Sequence, residues 1–248
     1  MHSRLLHWTQ LLRARIPALL PSSCALCGID SADALCSGCR QQYFSQHRER
    51  CPQCATPVAA PGPAARCGAC LKNPPAFDAT LVATDYAPPM DQLVLALKFG
   101  SRLALAPLFA RLLRDALLSA QMKTMPLPAL LAVVPLSPQR LAERGFNQAL
   151  EIAKPLARTL GIALEPQALC RVRNTQAQAM LHPDERRKNI RNAFTVAPRA
   201  IERIRGQHLG IVDDVITTGE TLNELAATLK RFGASRVTNL VFARTLPH

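Results

Sequence analysis

The chain has 248 residues, enough for one α/β core and a smaller module. Hydrophobic residues make up 48% of it but aromatics only 4%, so the core is expected to be aliphatic. A formal charge of +13 and a pI of about 9.9 favour an anionic partner: nucleic acid, a polyphosphate or an acidic membrane surface. The longest apolar run, around 125–136, is too short and too interrupted by Pro126, Pro128 and Pro135 to span a bilayer, and neither the P-loop nor the dinucleotide glycine pattern occurs.

In segment 1–23, Arg4, Arg13 and Arg15 break any signal-peptide core. Leu5, Trp8, Leu12, Ile16 and Leu19 recur at helical spacing and predict an amphipathic helix that packs or touches a surface. The chain is therefore expected to be soluble and cytosolic, where thiols stay reduced and paired cysteines usually mean metal. Residues 24–72 carry four Cys-x-x-Cys pairs: Cys24/Cys27, Cys36/Cys39, Cys51/Cys54 and Cys67/Cys70. Each pair suits two corners of a tetrahedral ion, and two pairs complete a closed site. Two structural Zn2+ ions are expected, held in sequential order or with the pairs crossed. Redox-active or plain buried thiols are the alternative. Cys170 stands alone and reads as a buried, unreactive thiol. His47 reads as solvated.

Residues 71–79 look like a linker. Thr80–Tyr86 predicts a strand and Met90–Phe99 a helix with Lys98 at its end and Gly100 as its cap. A second amphipathic helix is expected over Leu103–Leu118, with Pro107 in its first turn. Leu130–Val134 suits a central parallel strand. The loop that follows carries Leu136, Ser137, Arg140 and Arg144. A helical turn would put both guanidiniums on one side, ready for phosphate oxygens. The same spacing also fits a solvated basic face, but a position directly after a core strand favours ligand binding. Glu151–Leu160 continues as a helix ending near Gly161. Over 162–199 the pattern weakens, and Arg171, Arg173, Arg186, Arg187, Lys188 and Arg191 crowd into a polar stretch. This stretch reads as a solvated run, or as a basic hood able to hold a polyanion. With only Phe194 nearby, backbone contacts are the expected mode rather than base stacking.

The densest signal is Leu209–Leu222. An apolar strand leads to Asp213 and Asp214, then to Thr217-Thr218-Gly219-Glu220-Thr221 and an amphipathic stretch over 220–232. A strand end, a tight loop and a helix start turn free N–H groups and the positive helix end toward one anion, while neighbouring carboxylates accept from sugar hydroxyls. That combination asks for a ribose 5-phosphate. Ser235–Ala243 predicts the last strand.

The Asp213–Thr221 stretch resembles the phosphoribosyl-pyrophosphate (PRPP) signature of type I phosphoribosyltransferases. Together with the paired cysteines, Leu97-Lys-Phe-Gly100, Pro135-Leu-Ser-Pro, Arg144-Gly-Phe-Asn-Gln148, Thr175-x-x-Gln178 and Glu185-Arg-Arg-x-Asn189, it is similar to the ComF family over nearly the whole chain. The resemblance implies a type I phosphoribosyltransferase α/β fold over 80–248, with a parallel sheet, flanking helices and a hood, behind a double zinc ribbon. It also implies a role in natural transformation, assisting uptake of single-stranded DNA into the cytoplasm. A competence DNA-translocase ATPase is an expected partner, with peripheral contact at the inner membrane. By position, Asp213 and Asp214 would hold ribose hydroxyls, Thr217–Thr221 the 5-phosphate and the Leu136–Arg144 loop pyrophosphate, with Mg2+ bridging through the ligand. Glu220 departs from the small or neutral residue common there, and leaves open whether its charge points outward or repels phosphate. Three functions compete: a DNA-uptake factor, an active transferase acting on an unidentified base, and a zinc-organised adaptor.

Overall fold

The structure, a computed structural model, describes residues 22–44, 48–59, 66–121, 125–172 and 192–246. Most of the amphipathic segment 1–23, together with Arg173, Arg186, Arg187, Lys188 and Arg191, lies outside the described residues. The chain divides into two compact units, Met1–Gln46 and His47–His248, and the division falls between the two cysteine clusters.

In the smaller unit β1 (Ser22–Ser23) pairs antiparallel with β2 (Asp30–Ser31), and α1 (Ser37–Phe44) follows. Only Cys24, Leu35 and Cys39 are buried among its described residues. With so little buried apolar surface among the described residues, a bound metal would supply much of the folding energy there.

The larger unit opens with the second cysteine knuckle, which is built into the main core. Ala55 belongs to the same apolar cluster as the sheet residues. Buried Gln53 donates through Nε2 to the Phe77 carbonyl at 3.1 Å, and the Thr80 N–H donates to the Pro52 carbonyl at 3.1 Å. The short helix α2 (Gly68–Lys72) supplies the other cysteine pair. The segment read as a linker is tied down at its end, where the Ala76 N–H donates to Asn223 Oδ1 at 2.6 Å.

The body is a five-stranded parallel sheet. Its strands are β3 (Ala79–Asp85), β4 (Leu130–Val133), β5 (Ala163–Leu164), β8 (His208–Ile216) and β9 (Arg236–Arg244), in the order β3-β9-β8-β4-β5. Between β3 and β4 run α3 (Met90–Phe99) and α4 (Leu105–Gln121). Then α5 (Pro138–Arg144) and α6 (Gln148–Leu160) lead to β5. A two-stranded antiparallel hairpin, β6 (Leu169–Arg171) with β7 (Phe194–Val196), stands apart from the sheet. The short α7 (Ile201–Ile204) precedes β8, and α8 (Glu220–Arg231) joins β8 to β9.

Strand alternation distributes the core over two faces. Leu209, Ile211, Val237 and Val241 meet Leu222, Leu225 and Leu229 of α8, together with the hairpin. On the opposite face Phe242 stacks on Phe109 of α4, with ring centroids 3.6 Å apart.

Two departures from the sequence reading bear on the site. Helix α6 starts at Gln148 rather than Glu151, because the Asn147 side chain accepts from the Ala149 and Leu150 N–H groups and caps it there. Strand β8 runs on to Ile216, so both aspartates lie within it instead of just after it. Its pairing with β4 ends at Val133↔Val212, while pairing with β9 continues to Ile216↔Arg244. Beyond Val212 one edge of β8 is therefore open, and this opening positions the site.

Candidate functional site: an acid pair, a helix start and an arginine cluster

Strand β4 leaves the sheet where Asp213 begins, and Ser137 then caps α5, its hydroxyl accepting from the Arg140 N–H at 3.3 Å. Gly145 ends that helix with φ 75°, a left-handed turn that costs glycine least. The turn leads straight to Asn147, whose Nδ2 also donates to the Val134 carbonyl at 3.0 Å, pinning the end of β4. This run of the chain is thus scaffolding for Arg140 and Arg144.

Asp214 is buried, and the Lys98 ammonium from the end of α3 lies 3.1 Å from its Oδ2. The contact is one of charge, since that oxygen has no aligned hydrogen bond among the described residues. The Asp214 N–H donates to Asp213 Oδ1 at 2.9 Å. Burial and the neighbouring Asp214 carboxylate push Asp213 up to about 8. Two carboxyls at one strand end thus share one cation, and Asp213 holds a proton near neutrality.

The loop beyond β8 exposes Thr217 and Thr218. Gly219 has φ 84° and precedes α8, with Ile216 and Phe77 close behind it. Only a residue at ease with positive φ lets the chain fold from strand into helix with its N–H groups facing outward. Glu220 is the first helical residue and Thr221 the second, and the Glu220 side chain engages a partner. Its position at the positive helix end is favourable to its charge.

The arginines converge. Arg144 donates through Nη1 to Gln148 Oε1 at 3.1 Å, and its guanidinium lies 5.1 Å from the centre of the Phe99 ring. Burial and the nearby Arg144 lower Arg140. On β6, burial and the charge of Arg140 lower Arg171 to about 10, and its guanidinium lies 5.3 Å from the Phe194 ring. Arg140 is thus within electrostatic reach of both Arg144 and Arg171, and this positive charge favours a bound anion. Leu136 is half-buried.

Of the residues singled out in the sequence, the structure brings Asp213 and Asp214 together on β8, and Arg140, Arg144 and Arg171 into one cationic group. Phe99 and Gln148 were not singled out, and Lys98 was noted only as the residue at the end of its helix. A lysine in a last helical turn reads locally as a cap; only the fold gives Lys98 an aspartate. Cys170 is half-buried in β6 against the core.

The two cysteine clusters are sequential: Cys24, Cys27, Cys36 and Cys39 in one, Cys51, Cys54, Cys67 and Cys70 in the other, each with its ligand atoms within 4.8 Å of one another. Burial alone would raise Cys51, but backbone N–H groups of Cys67, Cys54 and Gln53 outweigh it and bring the thiol down to about 7. Cys24 falls to about 6 in the same way, through Cys27, Cys36 and Leu26. Burial and the surrounding thiols push Cys39 up to about 12. Amide donors that favour thiolate, around four converging sulfurs, fit structural zinc.

Residues 16–71 match the family described as Double zinc ribbon domain, and residues 147–245 the one described as Phosphoribosyl transferase domain. Fold and site together define a phosphoribosyltransferase-type α/β domain preceded by a double zinc ribbon. Over 231 residues the chain is 40% identical to DNA utilization protein YhgH of Salmonella typhi, covering 92% of this chain and 99% of that one. Over 209 residues it is 35% identical to Competence protein F of Haemophilus influenzae, covering 83% and 88%. The chain belongs to the ComF family, to which these relatives belong. Among solved structures, the allosteric regulatory enzyme of purine biosynthesis shares 17% identity with a TM-score of 0.39, covering 60% of this chain and 30% of that one, and at that distance says nothing about function. Among the described residues no helix is long and apolar enough to cross a membrane.

Proposed function

We propose that the chain is a DNA-handling protein of competence that assists entry of single-stranded DNA into the cytoplasm and carries a PRPP-type ribose-phosphate site. One observation carries the ligand reading: the open end of β8 sets Asp213 and Asp214 directly before a glycine-bearing helix start. Carboxylates would accept from ribose hydroxyls, the loop from Thr217 to Thr221 would hold the 5-phosphate, and Arg140 and Arg144 would meet pyrophosphate. Mg2+ bound along with the ligand would supply charge neutralisation, with Asp213 and Asp214 the carboxylates placed to hold it. The DNA reading is supported by the names of the relatives and by the charge of +13. In this reading single-stranded DNA lies along the arginine-rich hood, a translocating ATPase supplies the energy, and the chain works in the cytoplasm near the inner membrane.

Titrating PRPP into wild type and into Asp213→Asn/Asp214→Asn tests the site. Loss of binding in the double variant is expected, and equal binding refutes the assignment. DNA affinity should fall steeply with added salt, and a salt-independent affinity would overturn the backbone-contact reading. Deletion of the coding region should impair transformation.

The perturbed Asp213 favours a second reading, an active transferase, because a carboxyl titrating near neutrality suits proton exchange with a reacting base. Pyrophosphate release from PRPP with any member of a base panel would establish turnover. Binding without release would leave a ribose-phosphate sensor.

A further inference from the structure

The second cysteine cluster has a feature that ligation alone does not explain. Arg244, the last residue of β9, is buried to 8% exposure. Its Nη2 donates to Thr56 Oγ1 at 2.7 Å, while its Nε and Nη1 have no hydrogen-bond partner among the described residues. The carboxylate beside it in register, Asp85, is already engaged by Arg48 at 3.3 Å and Arg50 at 2.7 Å. A buried guanidinium without an anion is costly. Thr56 in turn stands 3.1 Å from Cys54 Sγ, so thiol, hydroxyl and guanidinium form a line.

We propose that Thr56 and Arg244 form an outer hydrogen-bonded shell that neutralises the metal-loaded second cysteine cluster, making the end of β9 part of that metal site. Zn2+ with four thiolates carries two net negative charges. The loaded cluster would thus supply the anion that buried Arg244 lacks. In the metal-free cluster the Cys54 thiol donates to Thr56 Oγ1, and on loading that bond would reverse. A thiolate at Cys54 is an acceptor only, the Thr56 hydroxyl can donate to it, and the lone pair left on that hydroxyl accepts from Arg244. Cys54, Cys67 and Cys70 all lie near enough to act on the guanidinium electrostatically. Partners of this kind orient ligands and set metal affinity. A consequence follows for the fold: Arg244 is in register with Ile216, the last residue before the Thr217 loop, so a metal that holds Arg244 also braces that loop.

The test uses the full chain with Cys24→Ser and Cys27→Ser, which leaves one intact cluster. Zinc affinity is measured by competition with a chromophoric chelator, and cobalt(II) charge-transfer absorption confirms that four sulfurs still bind. Thr56→Val keeps the shape and removes the hydroxyl, and Thr56→Ser does the reverse. Val should weaken zinc about 10–100-fold and Ser should bind nearly as the parent does. Arg244→Met should weaken it over the same range, with most of the loss recovered in Arg244→Lys. Parent-like affinity in Thr56→Val, or a greater loss in Ser than in Val, overturns the proposal. The position-56 pair decides the matter alone if Arg244→Met does not fold.

Discussion

At the scale of single residues, the acid pair makes the sharpest demands. Asp213 is raised in the fold by burial and by Asp214, so folding favours its protonated form. An acid with a raised folded pKa contributes stability that is fully present below its unfolded value and lost as pH rises toward about 8. Stability is therefore expected to fall from about pH 4 to about pH 8, and Asp213→Asn should flatten that slope and raise Tm at pH 8 while weakening ligand. Thermal melts of both proteins at pH 5 and pH 8 check this, and parallel slopes would contradict it. Among the described residues, Lys98 supplies the cation beside Asp214. Replacing it by Met should cost about 3 kcal/mol and should weaken PRPP binding together with stability. Unchanged binding in a folded Lys98→Met protein would remove Lys98 from the site. The aspartates were legible in the sequence because carboxylates at a strand end before a small, hydroxyl-rich loop form a local pattern. Lys98 was not, because its partner lies 116 positions further along the chain and only the fold brings them within 3.1 Å.

At the scale of elements, the Arg144–Gln148 turn shows how scaffolding and chemistry share a motif. Gly145 reverses the chain, Asn147 starts α6 and clamps Val134, and Gln148 holds Arg144. Asn147→Ala removes a helix cap and a bond to the β4 end at once, and should cost about 2 kcal/mol. Denaturant unfolding measures it, with a lower midpoint and unchanged slope expected. An unchanged midpoint would mean that the cap contributes nothing. The apolar periodicity of α3, α4 and α8 was readable because each presents one face to the sheet. The start of α6 was harder to read, because capping is a side-chain geometry that an apolar pattern does not show. The length of β8 was equally hidden, since it depends on how far β9 continues beside it.

At the scale of the whole molecule, the second cysteine knuckle and the sheet share one core through Ala55, Gln53 and Thr80, whereas only a few of the smaller unit's described residues are buried. Stripping zinc with a chelator is therefore expected to unfold the smaller unit outright and to lower the main thermal transition of the larger one. Calorimetry before and after chelation reads both. A main transition that stays in place after complete zinc removal would show that the knuckle contributes no stability to the sheet.

Sequence alone determined the composition of the parts: thiol pairs spaced for tetrahedral metal, apolar runs of strand and helix length, and an acid pair before a phosphate-type loop. Each is encoded within a few consecutive residues, where covalent spacing already constrains geometry. The tertiary structure decided what meets what. It gave Asp214 its lysine, gathered Arg140, Arg144 and Arg171 into one cationic group, built the second knuckle into the main core and set Arg244 on Thr56. These contacts join positions far apart in the chain, and their energies depend on burial and on neighbouring charge, which exist only once the sheet has formed.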